Sequence, residues 1–300
     1  MKNIKKLPFI LTILSFLTIF VPANAEIKVV TSIKPIHSLA SYLMDGVAKP
    51  DLIVDGYASP HGFALKPTHA KMLQEADLVF WVGEDLENFL KKPLKSIAKK
   101  AEKIELMRIK GLTKLKFRER NIFDEHGHDE HAHGEHDPHI WLDPMNAKVI
   151  LSEMAEHLIE NDSKNEAKYK ANLKRAHKDL DQLTKKVKSE LNKDFKSIVF
   201  HDAYQYFEKR FDINVLGAFT VNTDVMPGAE QLAEIREVIE HDKVSCVFSE
   251  PQFNPDIIKA VAKDTNIATG VIDPLGATLN PGKDLYFDLI GNMSKSFKGC

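Results

Sequence analysis

Residues 163–191 contain neither glycine nor proline, and this segment most constrains what the chain can fold into. Its apolar residues recur at steps of three and four: Leu173, Ala176, Leu180, Leu183, Val187 and Leu191. Such spacing predicts one amphipathic helix, about 40 Å long at 1.5 Å per residue. Because a flexible linker would be rich in glycine or serine, we expect a rigid helix that packs its apolar stripe on the regions before and after it.

Short apolar runs alternate with helical patterns on both sides of this segment. Before it, the patterns predict strands at 27–31, 51–54 and 78–82, and helices at 35–43, 66–76 and about 145–160. After it, they predict strands at 197–200, 214–218, 244–249 and 268–272, and helices at 204–211, 229–240, 255–264 and 285–297. Alternating strands and helices are typical of parallel sheets with helical crossovers.

The predicted fold class is therefore α/β, with two lobes joined by the long rigid helix. Each lobe is expected to hold a mostly parallel sheet flanked by helices. The expected boundaries are a leader at 1–25, a first lobe at 26–162, the linking helix at 163–192 and a second lobe at 193–300.

The first 25 residues have the pattern of a secretory signal peptide. Lys2, Lys5 and Lys6 precede an apolar run at 7–21, and Ala23-Asn24-Ala25 provides small residues for cleavage before Glu26. A retained membrane anchor is the alternative, but the run is short for a span and no stop-transfer pattern follows. We therefore expect export and removal of the leader.

Net charge excludes one class of function. Without its three leader lysines the chain has 38 basic and 43 acidic residues, a balance of −5. A nucleic-acid-binding protein would be expected to show a basic surface instead. A mildly acidic protein suits a small cation.

The chain has two cysteines, Cys246 in a predicted strand and Cys300 at its end. In an oxidising compartment a single disulfide is the favoured interpretation, and it would tie the terminus to a buried strand. Two free thiols or a thiolate metal site remain alternatives. Two cysteines alone make a poor zinc site, and no C-x-x-C pattern is present.

One segment breaks the α/β pattern. Residues 124–138 read D-E-H-G-H-D-E-H-A-H-G-E-H-D-P, with almost nothing to bury, so a disordered surface loop is expected. Five of the thirteen histidines lie here and form a candidate secondary metal loop: His126, His128, His131, His133 and His136.

Four residues outside that loop are stronger candidates for a metal site. His201 and Asp273 directly follow predicted strands, and His61 comes soon after another. In parallel sheets, ligands bind beyond the carboxyl ends of the strands. His139 and His61 lie in the first lobe, whereas His201 and Asp273 lie in the second, so we expect a site shared between lobes. Imidazole and carboxylate are zinc ligands, and a site rich in histidine favours zinc over manganese.

The same residues lie in motifs that resemble a known family, the periplasmic zinc-binding proteins of zinc-uptake ABC transporters (the ZnuA family). The motifs are S-P-H-G-F-A-L-K-P-T at 59–68, A-D-L-V-F-W-V-G at 76–83, H-I-W-L-D-P at 139–144, F-H-D-A-Y-Q-Y-F-E-K-R-F at 200–211, F-S-E-P-Q-F-N-P at 248–255 and D-P-L-G at 273–276. The acidic histidine-rich insertion and the cysteine pair also resemble the family's features. The resemblance covers nearly the whole chain after the leader.

The resemblance implies a fold and a site. Two α/β lobes would be joined by a rigid helix, with Zn2+ bound between them by His61, His139 and His201. Asp273 matches a carboxylate that ligates metal in many relatives. Because some relatives have a glutamate at the place of Pro60, the fourth ligand here is either Asp273 or a water. The resemblance also implies delivery of zinc to a membrane ABC transporter permease, from a periplasmic protein expected to be a monomer and not an enzyme.

Three alternatives remain open at this point. Manganese-type relatives share the fold but have glutamate at the place of His201, which favours zinc here. A zinc enzyme is less favoured because no H-E-x-x-H pattern is present. A metal buffer or adhesin would work through the loop 124–138 alone.

Overall fold

The computed structural model describes residues 26–118, 122, 136–192, 194–221, 223, 225 and 227–300. The predicted leader lies outside these residues, as do four of the five loop histidines: His126, His128, His131 and His133.

The first lobe is built on a four-stranded parallel sheet. Its strands are β1 (Val29–Ile33), β2 (Asp51–Val54), β3 (Leu78–Trp81) and β4 (Glu102–Glu105), in the order β2-β1-β3-β4. The helices between them are α1 (Lys34–Leu43), α2 (Pro67–Glu75) and α3 (Asn88–Ser96). The central strands β1 and β3 are buried along their whole length, as expected for a sheet covered on both faces.

The second lobe repeats this plan. Its strands are β5 (Lys196–His201), β6 (Asn214–Thr220), β7 (Cys246–Ser249) and β8 (Ala268–Val271), all parallel, in the order β6-β5-β7-β8. The helices that follow the linking helix are α6 (Gln205–Phe211), α7 (Ala229–His241), α8 (Asp256–Thr265) and α9 (Leu285–Gly299). Helix α9 returns to pack on α1, so the end of the chain touches the first lobe.

Two helices connect the sheets. Helix α4 (Pro144–Asn161) is followed by α5 (Glu166–Glu190), a helix of 25 residues that packs on α4, α1 and α9. Its stripe is buried at Ala176, Leu180 and Val187. The fold class predicted from the sequence is confirmed: two parallel sheets flanked by helices and joined by a long helix.

The sequence patterns missed part of the first lobe. Helix α3 and strand β4 had no predicted counterpart, because α3 contains Pro93 and β4 is an edge strand with two exposed residues. The long helix begins later than expected, since Ser163–Asn165 forms a short 3-10 turn. The exact lobe boundaries stay a prediction.

The predicted loop 124–138 is too long at its C-terminal end. Asp137 is buried completely and Pro138 is also buried, so these two residues belong to the folded protein. The composition was misleading here because a carboxylate can be buried when it has partners for its hydrogen bonds.

The two cysteines form a disulfide. Cys246 of β7 bonds to Cys300, with their Cα atoms 5.8 Å apart. Gly270 on the adjacent strand β8 leaves room for this bridge, because a Cβ there would lie 2.6 Å from the Phe248 ring and 3.1 Å from Cys300 Sγ. Within the described residues, no helix is long and apolar enough to cross a membrane.

Candidate metal centre

Three histidines from distant parts of the sequence meet between the lobes. His61 lies in the loop between β2 and α2, His139 precedes a 3-10 turn at Ile140–Leu142, and His201 is the last residue of β5. His139 and His201 are buried, and His61 is half-buried. The carboxyl ends of the parallel strands β2 and β5 thus open toward the same space, as expected for a ligand site in such sheets.

The imidazoles are close enough to share one ion. One ring nitrogen from each histidine lies within 4.8 Å of those of the other two. The Nε2 atoms of His139 and His201 are 3.4 Å apart. The ring centroids of His61 lie 5.7 Å from His139 and 5.9 Å from His201. Zinc binds imidazole nitrogen at about 2.0–2.1 Å, so three nitrogens at these separations can surround it.

Two buried carboxylates fix the orientation of two of these rings. Asp137 Oδ1 lies 2.7 Å from Nδ1 of His139, and Glu250 Oε1 lies 2.7 Å from Nδ1 of His201. When the ring is neutral, a carboxylate accepts a hydrogen bond from its Nδ1–H, which leaves Nε2 with a free electron pair. Both Nε2 atoms face each other across the cleft. This tautomer is the one that a metal ion requires.

A further layer of contacts holds the carboxylate of Asp137 and the residue after His201. Arg118 donates to Asp202 (Nε to Oδ2, 2.9 Å) and to Glu208 (Nη2 to Oε1, 2.8 Å). Gln205 Nε2 donates to Asp137 Oδ2 at 3.2 Å. The side chains around the histidines are therefore fixed by charge-assisted hydrogen bonds.

Burial sets the protonation of the histidines. It lowers the pKa of His61 well below its usual range, and the neighbouring His139 and His201 lower it further. Burial also lowers the pKa of His139 well below its usual range, with a further contribution from His201. For His201 burial lowers the pKa, but the carboxylate of Glu250 outweighs it and the net pKa is raised. Burial raises the pKa of Asp137 to about 7.

The space between the lobes is small. The internal cavity beside the three histidines is about 10 Å³, the volume needed by about one water-sized sphere. The residues that line it beside the imidazoles are both apolar (Pro60, Trp141, Phe253, Pro274 and Leu275) and polar (Ser59, Glu250 and Gln252). Such a cavity suits one ion rather than an organic substrate.

Asp273 does not join this group in the described part of the chain. Its Oδ1 accepts hydrogen bonds from Gln252 Nε2 at 2.8 Å, Gly276 N at 3.0 Å and Leu275 N at 3.1 Å. Its Oδ2 has one long contact, 3.4 Å from Thr278 N. The structure therefore places Asp273 as an acceptor that shapes a turn. Its assignment as a metal ligand stays a prediction.

The loop histidines are mostly outside the described residues. His136, the last of them, pairs with Lys116 in an isolated antiparallel bridge and is not one of the three grouped histidines. The secondary metal loop stays a prediction.

A second group of metal-ligating side chains lies on the outside of the first lobe. Glu102 begins β4, and His157 and Glu160 lie on α4, with one donor atom of each within 4.8 Å of the others. Glu102 and Glu160 are exposed, and His157 is half-buried. No sequence pattern links His157 to Glu102.

Sequence reasoning also missed Asp137 and Glu250. Glu250 directly follows β7, the neighbour of β5, so the rule that found His201 at a strand end applies to it as well. Asp137 precedes His139 by two residues, which is within reach of its ring. The sequence analysis placed Glu250 only in the motif at 248–255 and Asp137 only in the loop 124–138, so neither position was connected with a histidine.

Known proteins provide an independent comparison. A family model described as "Zinc-uptake complex component A periplasmic" matches residues 29–300. The high-affinity zinc uptake system protein ZnuA of Brucella abortus (strain 2308) is 44% identical, with 91% of each chain covered. The protein of that name from Yersinia pestis is 38% identical, with 92% of each chain covered.

Solved structures agree on the fold. A crystal structure of ZnuA matches with a TM-score of 0.76 at 23% identity, covering 91% of this chain and 100% of that chain. The family model spans both lobes and the linking helix, and the two relatives are 38–44% identical to this chain over more than 90% of its length. The chain therefore belongs to the family of periplasmic zinc-uptake complex components A.

Proposed function

We propose that this protein captures Zn2+ outside the cytoplasm and delivers it to the permease of an ABC transporter. His61, His139 and His201 are the proposed ligands. The observation that carries the proposal is the pair of Nδ1–carboxylate contacts, which direct the Nε2 atoms of His139 and His201 toward each other. Relatives named for zinc uptake support the choice of metal and of role.

The donor set favours zinc over manganese. Three imidazole nitrogens are suited to zinc, whereas manganese prefers oxygen ligands such as carboxylates. Some proteins of similar fold are described as Mn-bound, but at 18–19% identity they inform on the fold alone. Manganese is therefore the alternative cargo to be measured beside zinc.

Capture and transfer are proposed in preference to catalysis. A catalytic zinc needs three protein ligands, a bound water and room for a substrate. The small cavity provides a place for an ion and about one water molecule. The fourth ligand is proposed to be that water or Asp273, whose Oδ2 is less engaged than its Oδ1.

Export and a monomeric state are further parts of the proposal. We propose that residues 1–25 direct export and are then removed, so that a monomer meets the permease in the periplasm. The loop 124–138 is proposed to collect zinc weakly and to be dispensable for tight binding.

Zinc titration with a competing chelator, together with metal content after purification, tests the proposal. Three proteins are compared: wild type, His201→Ala and a variant without residues 124–135. We expect one tightly bound zinc in wild type and in the deletion variant, and its loss in His201→Ala. Tight binding that survives His201→Ala, or that disappears with the loop, would contradict the cleft site. Tighter binding of manganese than of zinc would establish the alternative cargo.

A further inference from the structure

The lobes are joined across the cleft by a buried lysine. Lys34 is the first residue of α1, at the carboxyl end of β1, and it is only 4% exposed. Its Nζ donates to the carbonyl oxygens of Leu279 at 2.9 Å, Ala277 at 3.0 Å and Gly276 at 3.3 Å. An ammonium group has three protons, which Lys34 shares among these carbonyls and the carboxylate of Asp55 at 3.3 Å.

These carbonyls belong to a turn of the second lobe, residues 273–279, which we name the cleft turn. It follows β8, and Pro274 and Leu275 of this turn line the cavity beside the histidines. Gly276 adopts φ = +70°, a conformation that favours glycine, and its N–H bonds to Asp273. The cleft turn is thus one wall of the metal site.

The turn has two kinds of attachment. On its own lobe, Gln252 donates to Asp273. On the first lobe, Trp141 Nε1 donates to Pro274 O at 2.8 Å, and Lys34 holds the three carbonyls that follow. Charge strengthens the second attachment, because hydrogen bonds from a charged donor are about twice as strong as neutral ones. The exposed carboxylate of Asp55, 3.3 Å from Nζ, balances the buried charge.

We infer that Lys34 is a positioning residue that holds the cleft turn against the first lobe and so keeps the wall of the metal site closed. Its effect on zinc rests on the function proposed above, whereas its effect on the turn does not. Without the ammonium group, the buried carbonyl of Ala277 and the part-buried carbonyl of Leu279 lose the donor that Lys34 provides, and Gly276 O keeps only its bond from Leu279 N. The turn is then expected to open toward water to satisfy the two carbonyls. Zinc then leaves the cleft faster.

Lys34→Met tests this inference, since it keeps the length of the side chain and removes the donor. The matched control is Lys283→Met, because Lys283 also bridges distant segments, to Asp45 Oδ2 at 2.9 Å, but is exposed. The first measurement is hydrogen exchange of the Trp141 indole N–H in zinc-free protein. Since one hydrogen bond to a charged group can change an opening equilibrium about tenfold, we expect exchange about tenfold faster in Lys34→Met and unchanged in Lys283→Met.

The second measurement is the zinc dissociation rate after addition of excess chelator. It is expected to rise about tenfold in Lys34→Met, in step with the opening of the turn, and to stay unchanged in the control. Circular dichroism checks that each variant is folded. If Lys34→Met does not fold, Lys34→Arg replaces it, because a guanidinium keeps the charge but alters the geometry of donation. In that variant the indole exchange is again expected to be faster.

Each outcome decides one part of the inference. Unchanged indole exchange in a folded Lys34 variant would overturn it, as would equal effects of Lys34→Met and Lys283→Met. Faster exchange with an unchanged dissociation rate would overturn the effect on zinc, but it would support the role of Lys34 in holding the cleft turn. Absence of zinc binding in wild type would instead refute the proposed function. The indole measurement would still test whether Lys34 holds the cleft turn.

Discussion

The structure brings metal-ligating side chains together in two places, and the two differ in what surrounds them. In the cleft, the side chains of His139 and His201 are 5–6% exposed and the carboxylates that hold them are 0% exposed. On the outer face of the first lobe, the side chain of His157 is 20% exposed and that of Glu102 is 43% exposed. Both groups have donor atoms within 4.8 Å of one another. Proximity alone therefore does not distinguish them.

The arrangement of the carboxylates does distinguish them. In the cleft, each carboxylate lies behind its imidazole, on Nδ1, and leaves Nε2 for an ion. In the outer group, carboxylates lie at both ring nitrogens of His157: Glu102 Oε1 is 2.9 Å from Nδ1, and Glu153 Oε1 is 3.5 Å from Nε2. The outer carboxylates are also exposed, so a metal ion would have to displace the water that hydrates them. The contrast teaches that buried carboxylates behind the imidazoles, rather than proximity, distinguish the proposed metal site from a surface cluster.

The largest expected effect comes from removing ligands in each group. His139→Ala with His201→Ala should abolish tight zinc binding. This loss is greater than the roughly 10–100-fold expected when only one of the buried carboxylates behind the rings, Asp137 or Glu250, is removed. The matched variant, His157→Ala with Glu160→Ala, should bind zinc as wild type does. Calorimetric titration measures both. If the outer double variant lost tight binding and the cleft variant did not, the comparison would be reversed.

The next effect concerns the carboxylates behind the rings. Asp137→Asn and Glu250→Gln should each weaken zinc binding by roughly 10–100-fold, because the amide no longer fixes the Nδ1–H tautomer. The corresponding change in the outer group, Glu102→Gln, should leave the affinity unchanged. Chelator competition at constant pH measures all three. Equal affinity in all three variants would show that the buried carboxylates do not orient the ligands.

A smaller effect is expected from pH. The pKa of His201 is raised because Glu250 outweighs burial, so its ring holds a proton more tightly than an ordinary histidine does. The pKa values of His61 and His139 are lowered, so these rings are already neutral. Zinc must then displace one proton, and its affinity should fall about tenfold per pH unit as the pH decreases below the raised pKa of His201.

Titrations between pH 5.5 and 8 measure this slope. Asp137, whose pKa is raised to about 7, can release a second proton in this range. A dependence on three protons, or none at all, would show that the protonation states assigned to the three rings are wrong. The outer variant His157→Gln is the control, since its zinc affinity should follow the wild-type pH curve.

The smallest effect is expected from the outer group alone. His157→Gln removes a half-buried ring from the surface of α4, and such surface changes are usually within about 0.5 kcal/mol of the wild-type free energy of unfolding. Urea unfolding measures this value. A loss of several kcal/mol would show that the contact between His157 and Glu102 is important for the packing of β4 against α4.

The sequence selected three histidines that the structure brings together, and it missed the carboxylates that contact them. His61, His139 and His201 could be selected because strand ends in parallel sheets converge on one edge, and their motifs resemble a known family. Asp273 could be selected by the same rule, but its side chain accepts bonds from its own turn. A rule about strand ends gives the place of a residue and not the direction of its side chain.

Asp137 and Lys34 show what composition hides. Asp137 is part of an acidic, histidine-rich segment, yet it is buried because the backbone and ring of His139 and the amide of Gln205 bond to it. Lys34 stands before Pro35 at the start of a predicted helix, where no sequence pattern singles it out. Its ammonium group is nevertheless buried among carbonyls more than 240 residues away in sequence. Contacts of this kind depend on the packing of the lobes.

By itself, the sequence determined the two parallel sheets, the long helix between them and the three histidines, because these depend on local periodicity and on where strands end. The tertiary structure alone decided which carboxylate stands behind which imidazole, and which lysine holds the wall of the cleft. The physical reason is that burial and hydrogen-bond geometry arise only when distant segments meet. The free energy of a buried charge is set by those neighbours and not by adjacent residues in the chain.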